Sequence, residues 1–303
     1  MPQRSNGAPI ILAHGIAPFD IVFKSLRKTL GNPLPPEAAH WFDANIGNPL
    51  TYFREIRPAL EREGFTTYVT DVGFAAGVEQ RARDLQREVM RILGDGGNYE
   101  KVNIIAHSMG GLDARYMIAK LGMADRVASL VTIGTPHFGT SFADWGVGDL
   151  WLPSHLIDWL KPAGADLSGF RDLTRPKCAA FNAENVSREA ANSVVYITYA
   201  ASQSLDHVFP PLHFSWGIID QHEGSNDGLV PVVSQRWRAE LEGPKGVKRV
   251  EQRVFPVRGD HLNEIGWWHP WVGPGEGREA YEAAVQDLYV QIAVELRQRG
   301  LYR

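Results

Sequence analysis

The sequence predicts an α/β fold in which a mostly parallel central sheet carries helices on both faces. Short apolar runs rich in β-branched residues alternate with helical patterns along the 303-residue chain, which is the order of elements in a parallel α/β sheet. Several runs are apolar at successive positions, as in strands that are buried on both faces. α/β chains of this length commonly form one domain, so we expect a single domain over residues 1–303.

The first elements follow from local signals. Strands are expected at 9–13 and 65–71, and the second is rich in β-branched and aromatic residues. The helix expected between them, at 58–64, has proline in its first turn and glycine after its end, the usual asymmetry of helix ends. A longer helix is expected at 77–93, because apolar residues recur there at helical spacing. They form one stripe of Val78, Ala82, Leu85, Val89 and Leu93.

The remaining elements continue the alternation. A strand at 101–106 leads into a turn and a helix that runs to about residue 121, and a strand at 126–134 follows. Three later elements complete the pattern, namely strands at 193–201 and 249–257 and a last helix at about 277–297. Strands that alternate with helices in this way form a parallel sheet.

Residues 141–175 interrupt this rhythm and predict a helical lid or cap insertion. The segment holds Trp145, Trp151 and Trp159 with leucine and isoleucine between them, and 152–160 reads as a short amphipathic helix. An apolar insertion in such a fold is typical of a mobile lid or a cap over a site. A helical subdomain packed permanently on the core has the same pattern, and the sequence leaves both interpretations open.

The turn AHSMGG, residues 106–111, indicates a catalytic serine. Ser108 lies where a strand becomes a helix, and the residues two before and two after it are the small Ala106 and Gly110. A serine at such a sharp turn has its hydroxyl lifted clear of the sheet, and small neighbours avoid a backbone clash. The common pattern is G-x-S-x-G, from which Ala106 departs. An ordinary glycine-containing junction is the alternative.

A serine hydroxyl attacks well only when a base takes its proton and a carboxylate orients that base. In the strand–turn–serine fold these groups follow in the order Ser, Asp, His. Asp227, in the turn GSNDGLVPV, and His261, in the loop VRGDHLNEIG, fit that order. Asp260 and Asp206 remain alternatives to Asp227 as the acid.

An acyl-transfer site also needs two backbone N–H groups that stabilise an oxyanion. The N–H of Met109, directly after the serine and at the start of a helix, is the first candidate. The second should come from an early strand-to-helix loop, where His14-Gly15-Ile16 follows the first strand. We expect the N–H of Ile16 to be this donor.

Composition excludes other classes of protein. The formal net charge is −4, with no strong basic patch, so a nucleic-acid partner is not expected. The single cysteine, Cys178, excludes an intramolecular disulfide and a cysteine-rich zinc site. No stretch approaches the ~20 apolar residues of a membrane span. The N-terminal residues contain no long apolar segment after Arg4, so we expect a chain that is cytoplasmic or exported without a cleaved signal peptide.

Taken together, the motifs resemble the α/β-hydrolase superfamily and, within it, the bacterial true lipases of the pseudomonad type. The matching segments are PIILAHG, YVTDV, VNIIAHSMGGLDARY, VTIGTPHFGTSFADW, GSNDGLVPV and DHLNEIG, in the family's order. The resemblance implies Ser108 as nucleophile, His261 as general base and acid, and Asp227 as the orienting acid. It implies Ile16 and Met109 as oxyanion donors, hydrolysis of acylglycerol or other lipid esters, and action at a lipid–water interface.

The resemblance implies no cofactor for catalysis, but it includes a structural calcium site near the histidine loop. Its ligands are an aspartate some twenty residues before the triad acid, an aspartate two residues after the histidine, and nearby carbonyl groups. Asp206 stands at the first position and Asn263 at the second. Asn263 is neutral, whereas calcium prefers carboxylate oxygens.

Other functions remain open alternatives. A short-chain carboxylesterase, a thioesterase or an acyltransferase would share the serine chemistry. An inactive hydrolase fold would serve as a binding protein, although the complete Ser, Asp and His set argues against it. A zinc site from His261, His269, His222 and Glu223 is a weaker alternative, because the spacing fits no compact ligand motif.

Overall fold

A computed structural model describes residues 7–15, 52–73, 76–94, 99–148, 168–268 and 277–302. The strands are β1 Ile10–Ala13, β2 Thr67–Val69, β3 Val102–His107, β4 Val127–Ile133, β5 Val195–Ala200, β6 Glu240–Gly243, β7 Gly246–Arg249 and β8 Glu251–Val254. The helices are α1 Ile56–Arg62, α2 Val78–Gly94, α3 Gly110–Lys120, α4 Ser141–Gly148, α5 Ser168–Asp172, α6 Arg175–Ala191, α7 His213–Glu223, α8 Val232–Arg236 and α9 Gly277–Gln298. Short 3₁₀ turns lie at Ala124–Arg126, Leu205–His207, Pro210–Leu212 and Asn263–Ile265.

Six strands form one parallel sheet in the order β2-β1-β3-β4-β5-β8. Strands β6 and β7 form a separate antiparallel hairpin. Strand β3, which leads into the serine turn, lies between β1 and β4 in the sheet. The carboxyl ends of parallel strands meet at one edge, so loops after β1, β3 and β4 converge there.

Alternate side chains of the strands enter two cores. On one face Leu12 and Ile105 pack with residues of α1 and α9. On the other face Ile11 and Ile104 pack with α2 and α3. The strands are therefore covered on both sides, as their nearly continuous apolar sequences predict.

The predicted elements correspond to observed ones, with two informative differences. The strand expected at 249–257 begins only at Glu251, because Gly246–Arg249 pairs with Glu240–Gly243 in the hairpin. The 17-residue helix α6, like the 11-residue helix α7, has no counterpart among the predicted elements. Its buried side chains include Asn182, Asn185 and Glu189. Helix α6 therefore lacks the apolar stripe on which a sequence-based helix prediction depends.

The predicted insertion at 141–175 is described only at its two ends, α4 and α5, and the helix expected at 152–160 lies outside the described residues. The ends pack through aromatic rings: the ring centroid of Phe142 lies 5.6 Å from that of Phe170, and that of Trp145 lies 4.9 Å from that of Phe214 on α7. Whether the segment moves as a lid stays a prediction.

Within the described ranges, no helix has both the length and the apolar character needed to cross a membrane.

Candidate active site

Ser108 occupies a strained turn between β3 and α3. Its φ angle is 56°, a left-handed conformation that non-glycine residues adopt at a cost of order 1 kcal/mol or more. Packing fixes the turn, because the Ser108 N–H donates to Ile133 O and the Thr135 hydroxyl donates to Ser108 O at 2.8 Å. The serine turn therefore has the backbone geometry that the motif predicts.

Close approach of β1 explains the glycines around Ser108. A Cβ on Gly110 would lie 2.6 Å from Ala13 O, and a Cβ on Gly15 would lie 2.5 Å from Ser108 Cβ. The loop that begins with His14 and Gly15 therefore passes directly against the serine. Met109 immediately precedes α3, where backbone N–H groups have no intrahelical acceptor. Ile16, the second predicted oxyanion donor, lies outside the described residues.

Asp227 and His261 form the hydrogen bond that the sequence predicts. His261 Nδ1 lies 2.8 Å from Asp227 Oδ2, and both side chains are buried. The other carboxylate oxygen of Asp227 accepts the N–H groups of Leu229 and Val230 at 2.8 and 2.7 Å, while Gln235 Nε2 donates to Oδ2. Asp227, rather than Asp260 or Asp206, therefore contacts the histidine, and its own turn holds the carboxylate in place.

The histidine loop lies against the serine turn through His107, the residue before Ser108. The ring centroids of His107 and His261 are 4.4 Å apart. The main-chain N–H of His261 also donates to Asp227 O at 2.8 Å. The structure thus brings the serine turn, the acid and the histidine loop together at the carboxyl edge of the sheet.

A buried polar chain runs behind this site from Glu264 to the loop after β1. Glu264 Oε2 lies 3.0 Å from His107 Nε2, and His107 Nδ1 lies 2.7 Å from the Tyr52 hydroxyl. The Tyr52 hydroxyl accepts the Gly15 N–H at 3.1 Å. The chain therefore links the histidine loop to the residue next to the predicted oxyanion donor Ile16.

Burial keeps the titratable side chains of this polar chain uncharged. It lowers the pKa of His107 well below its usual range, and the charge of His261 adds to this effect. Burial, followed by the negative charges of Asp227 and Asp260, raises the pKa of Glu264 well above its usual range. The contact between His107 and Glu264 is therefore a hydrogen bond between neutral groups rather than an ion pair.

A second buried group holds the loop after β1 from the other side. Arg81 on α2 has no exposed surface and pairs with Asp113 on α3 at 2.8 Å. Its guanidinium also donates to His14 O and Gly73 O, each at 2.8 Å. Burial raises the pKa of Asp113 to about 6, against the effect of Arg81. Arg81 therefore connects the loop beside Ser108 with the helix that follows the serine.

Asp206 and Asn263 do not fit the calcium site that the resemblance implies. Asp206 lies on an exposed turn, with 74% of its side-chain surface accessible and its carboxylate 3.2 Å from His207 Nδ1. Asn263 is buried, its Oδ1 accepts the Asp260 N–H at 3.0 Å, and its Nδ2 donates to Trp267 O at 2.8 Å. The Asn263 amide is therefore engaged at both ends within its own loop, and this position lacks the carboxylate that calcium prefers.

The described members of the alternative zinc set, His261, His222 and Glu223, are not grouped together as metal ligands. Within the described ranges, the three side chains grouped closely enough to hold a metal are His107, His261 and Glu264. Glu223 instead accepts the Ser141 N–H at 2.7 Å, and His269 lies outside the described residues.

Comparison with protein families identifies the fold. A model described as the alpha/beta hydrolase fold matches residues 36–195, more than half of the chain. The chain belongs to the α/β-hydrolase family. The family and fold that the sequence predicted are thereby confirmed, and the serine turn, acid turn and histidine loop follow in the order of that fold.

Relatives of this α/β-hydrolase include named lipases. Triacylglycerol lipase 2 of Saccharomyces cerevisiae is 30% identical over an alignment of 287 positions, gaps included, which covers 86% of this chain and 80% of the yeast protein. A triacylglycerol lipase of Vibrio cholerae is 28% identical over an alignment of 324 positions, gaps included, which covers 97% of this chain and 88% of the relative.

Solved structures agree on the fold. The Staphylococcus hyicus lipase superimposes with a TM-score of 0.60 at 16% identity, covering 98% of this chain and 97% of the other. A metagenomic carboxyl esterase gives 0.63 at 17% identity, covering 96% of this chain and 76% of the other. At this identity the likeness supports the α/β-hydrolase fold.

Four residues of the candidate site were not predicted from the sequence. Arg81 carried a signal, because it lies three residues after Val78 on the apolar stripe of α2, where a charged side chain needs a buried partner. Glu264 lies three residues after His261, on the same turn. No sequence pattern marks Tyr52 or His107 as site residues, because their roles depend on contacts between residues that are distant in sequence.

Proposed function

We propose that this chain is a serine ester hydrolase that cleaves acylglycerol or other lipid esters through an acyl-enzyme on Ser108. The observation that carries the proposal is the 2.8 Å hydrogen bond between His261 Nδ1 and Asp227, in a loop packed against the strained serine turn. A carboxylate at Nδ1 holds the imidazole in the tautomer whose Nε2 can accept a proton from serine.

The reaction proceeds in two halves. The Ser108 oxygen bonds to the ester carbonyl carbon while His261 Nε2 takes the hydroxyl proton. The carbonyl oxygen becomes an oxyanion that the N–H groups of Met109 and Ile16 stabilise. The carbon–alkoxy bond then breaks and His261 gives its proton to the departing alcohol. Water repeats the cycle on the acyl-enzyme, which releases the acid and restores Ser108.

The relatives support lipid esters as the substrate class. Both relatives described above are named triacylglycerol lipases, and the sequence of the predicted insertion at 141–175 carries three tryptophans. A carboxylesterase that acts on short soluble esters is the second candidate, because a solved structure of the same fold is a carboxyl esterase.

Hydrolysis of a short-chain ester and of a long-chain triglyceride emulsion should be measured with the unmodified protein, Ser108→Ala and Ser129→Ala. Ser129 is also a buried serine of the sheet, hydrogen-bonded to Asn103, so its variant controls for loss of a hydroxyl. We expect activity on both substrates, retained in Ser129→Ala and lost by about 10⁴-fold or more in Ser108→Ala. Full activity of Ser108→Ala would refute the proposal.

The emulsion separates the two candidates. Release of long acyl chains, faster once substrate forms an interface, supports the lipase. Turnover of the short-chain ester alone supports the carboxylesterase. A serine-directed phosphonate provides an independent readout, because a mass increase on the unmodified protein and none on Ser108→Ala identifies the nucleophile.

A further inference from the structure

Asp260, the residue before the proposed general base, has an unusual set of contacts. Its side chain has no exposed surface. One carboxylate oxygen accepts the N–H groups of Leu262 and Asn263 at 3.0 and 2.9 Å. The other oxygen accepts the N–H of Phe209 at 2.8 Å. A buried carboxylate with three backbone donors is held by charge-assisted bonds, which are stronger than neutral ones.

Two of these bonds fix the loop around His261. The Asp260 N–H donates back to Asn263 Oδ1 at 3.0 Å, so the two side chains close the loop reciprocally. His261 lies between them in sequence, and its own N–H donates to Asp227 O. The loop that carries the imidazole is therefore fixed on both sides of the histidine.

The third bond reaches a different segment. Phe209 lies between the 3₁₀ turns Leu205–His207 and Pro210–Leu212, after β5, and is 51 residues from Asp260. Its buried ring belongs to the same core cluster as Leu262 and Ile265. The Asp260 carboxylate is thus a tether between the histidine loop and the segment after β5.

We propose that Asp260 is a positioning residue for the general base, and that it joins these two segments with protein atoms alone, without calcium. Asp206 and Asn263, the residues aligned with calcium ligands, do not fit that ion, whereas Asp260 occupies the backbone donors of both segments. The catalytic part rests on the proposed function, while the tether is a property of the folded protein.

The test compares the unmodified protein, Asp260→Asn and Asp206→Asn, each with chelator and with added calcium. Asp260→Asn keeps the shape but turns an acceptor into an N–H donor that faces backbone donors. Asp206→Asn is the matched control, an exposed carboxylate on the segment that Asp260 tethers. The readouts are Tm, kcat and KM on a short-chain ester well below Tm, and the rate of phosphonate labelling of Ser108.

We expect Asp260→Asn to lower Tm by about 5 °C or more and to lower kcat and the labelling rate by about tenfold or more with KM little changed. Asp206→Asn, chelator and calcium should each leave Tm and kcat unchanged. If Asp260→Asn does not fold, Asn263→Ala removes the reciprocal bond, and we expect smaller losses in the same readouts.

Three results would overturn the inference. A lower Tm with unchanged kcat and labelling would make Asp260 a structural residue only. An unchanged Tm in Asp260→Asn would show that Asp260 does not tether the two segments. A Tm that falls with chelator, and no longer does so in Asp206→Asn, would establish a calcium site instead. If the unmodified protein hydrolyses no ester, the proposed function fails by itself, and Tm still decides whether the tether exists without calcium.

Discussion

Glu264 Oε2 lies 3.0 Å from His107 Nε2, and neither side chain has exposed surface. Because burial opposes charge on both groups, the contact is a hydrogen bond between a neutral carboxyl group and a neutral imidazole. His107 in turn contacts Tyr52, whose hydroxyl accepts the Gly15 N–H. The polar chain behind the site therefore consists of neutral hydrogen bonds, which makes its energetics testable by isosteric substitution.

Replacing Glu264 should reveal its protonation state. Glu264→Gln keeps a donor toward His107, so we expect the free energy of unfolding to change by no more than about 1 kcal/mol. Glu264→Ala leaves His107 Nε2 without its partner and creates a cavity, and should cost about 3 kcal/mol. Urea unfolding measures both. A loss in Glu264→Gln as large as that in Glu264→Ala would mean that the carboxylate is ionised.

Tyr52→Phe should weaken the oxyanion loop without affecting binding. The substitution removes the acceptor of the Gly15 N–H, beside the proposed donor Ile16. We expect kcat to fall about tenfold, less than the ~10² typical of a lost oxyanion donor, with KM unchanged. Tyr196→Phe is the control, since this buried hydroxyl bonds to Asn192 on the other face of the sheet. Equal kcat values for the two variants would contradict the role of Tyr52.

The buried Arg81–Asp113 pair should be far more costly to break than a surface pair. Arg81→Met leaves the Asp113 carboxylate buried without its partner and frees His14 O, and should lower the free energy of unfolding by about 3–5 kcal/mol. Arg57→Met, which breaks an exposed pair with Glu61, should cost no more than about 1 kcal/mol. Adding Asp113→Leu to Arg81→Met should recover part of the loss. If the double variant loses as much free energy of unfolding as Arg81→Met and Asp113→Leu lose separately when added together, the two residues are not coupled.

His14 should make stability depend on pH. Burial, together with the charge of Arg81, lowers the pKa of His14 from 6.5 to about 3, so between these values the unfolded chain binds a proton that the folded chain does not. This contribution to stability is complete above pH 6.5 and is lost as the pH falls toward 3. Between pH 7.5 and 5.5 it amounts to about 1.4 kcal/mol.

Other buried groups also titrate, so the contribution of His14 is measured as the difference between the unmodified protein and a variant without this histidine. Unfolding free energies at pH 7.5 and 5.5 should be compared for the unmodified protein and His14→Gln, and the variant should lose about 1.4 kcal/mol less. His207→Gln, at an exposed histidine that pairs with Asp206, is the control and should lose at least as much stability as the unmodified protein. An identical pH dependence in His14→Gln would show that His14 does not account for this contribution.

The elements that the sequence predicts well are those whose signal is local. The stripe of α2 and the apolar strands repeat over a few residues, and the small residues next to Ser108 stand at fixed spacing from it. These patterns are therefore visible in the chain, although the residue that Gly110 avoids, Ala13, is distant in sequence. Helix α6 was missed because its buried face is polar. Arg115 on α3 explains that face, since its guanidinium bonds to Asn182 and to Glu189, a contact that no local pattern encodes.

The candidate site likewise has one part that the sequence predicts and another that depends on packing. The sequence by itself determined the family, the serine turn and the order of serine, acid and histidine, because a strained turn requires particular residues at fixed spacing. The family resemblance implied Asp227 as the acid, but the residues themselves left Asp206 and Asp260 open. Only the tertiary structure separated the three, since carboxylates in polar loops look alike until packing makes one exposed, pairs one with His261 and surrounds one with backbone N–H groups. Tyr52 and Arg81 likewise gain their roles from the close packing of distant segments, which spacing along the chain does not record.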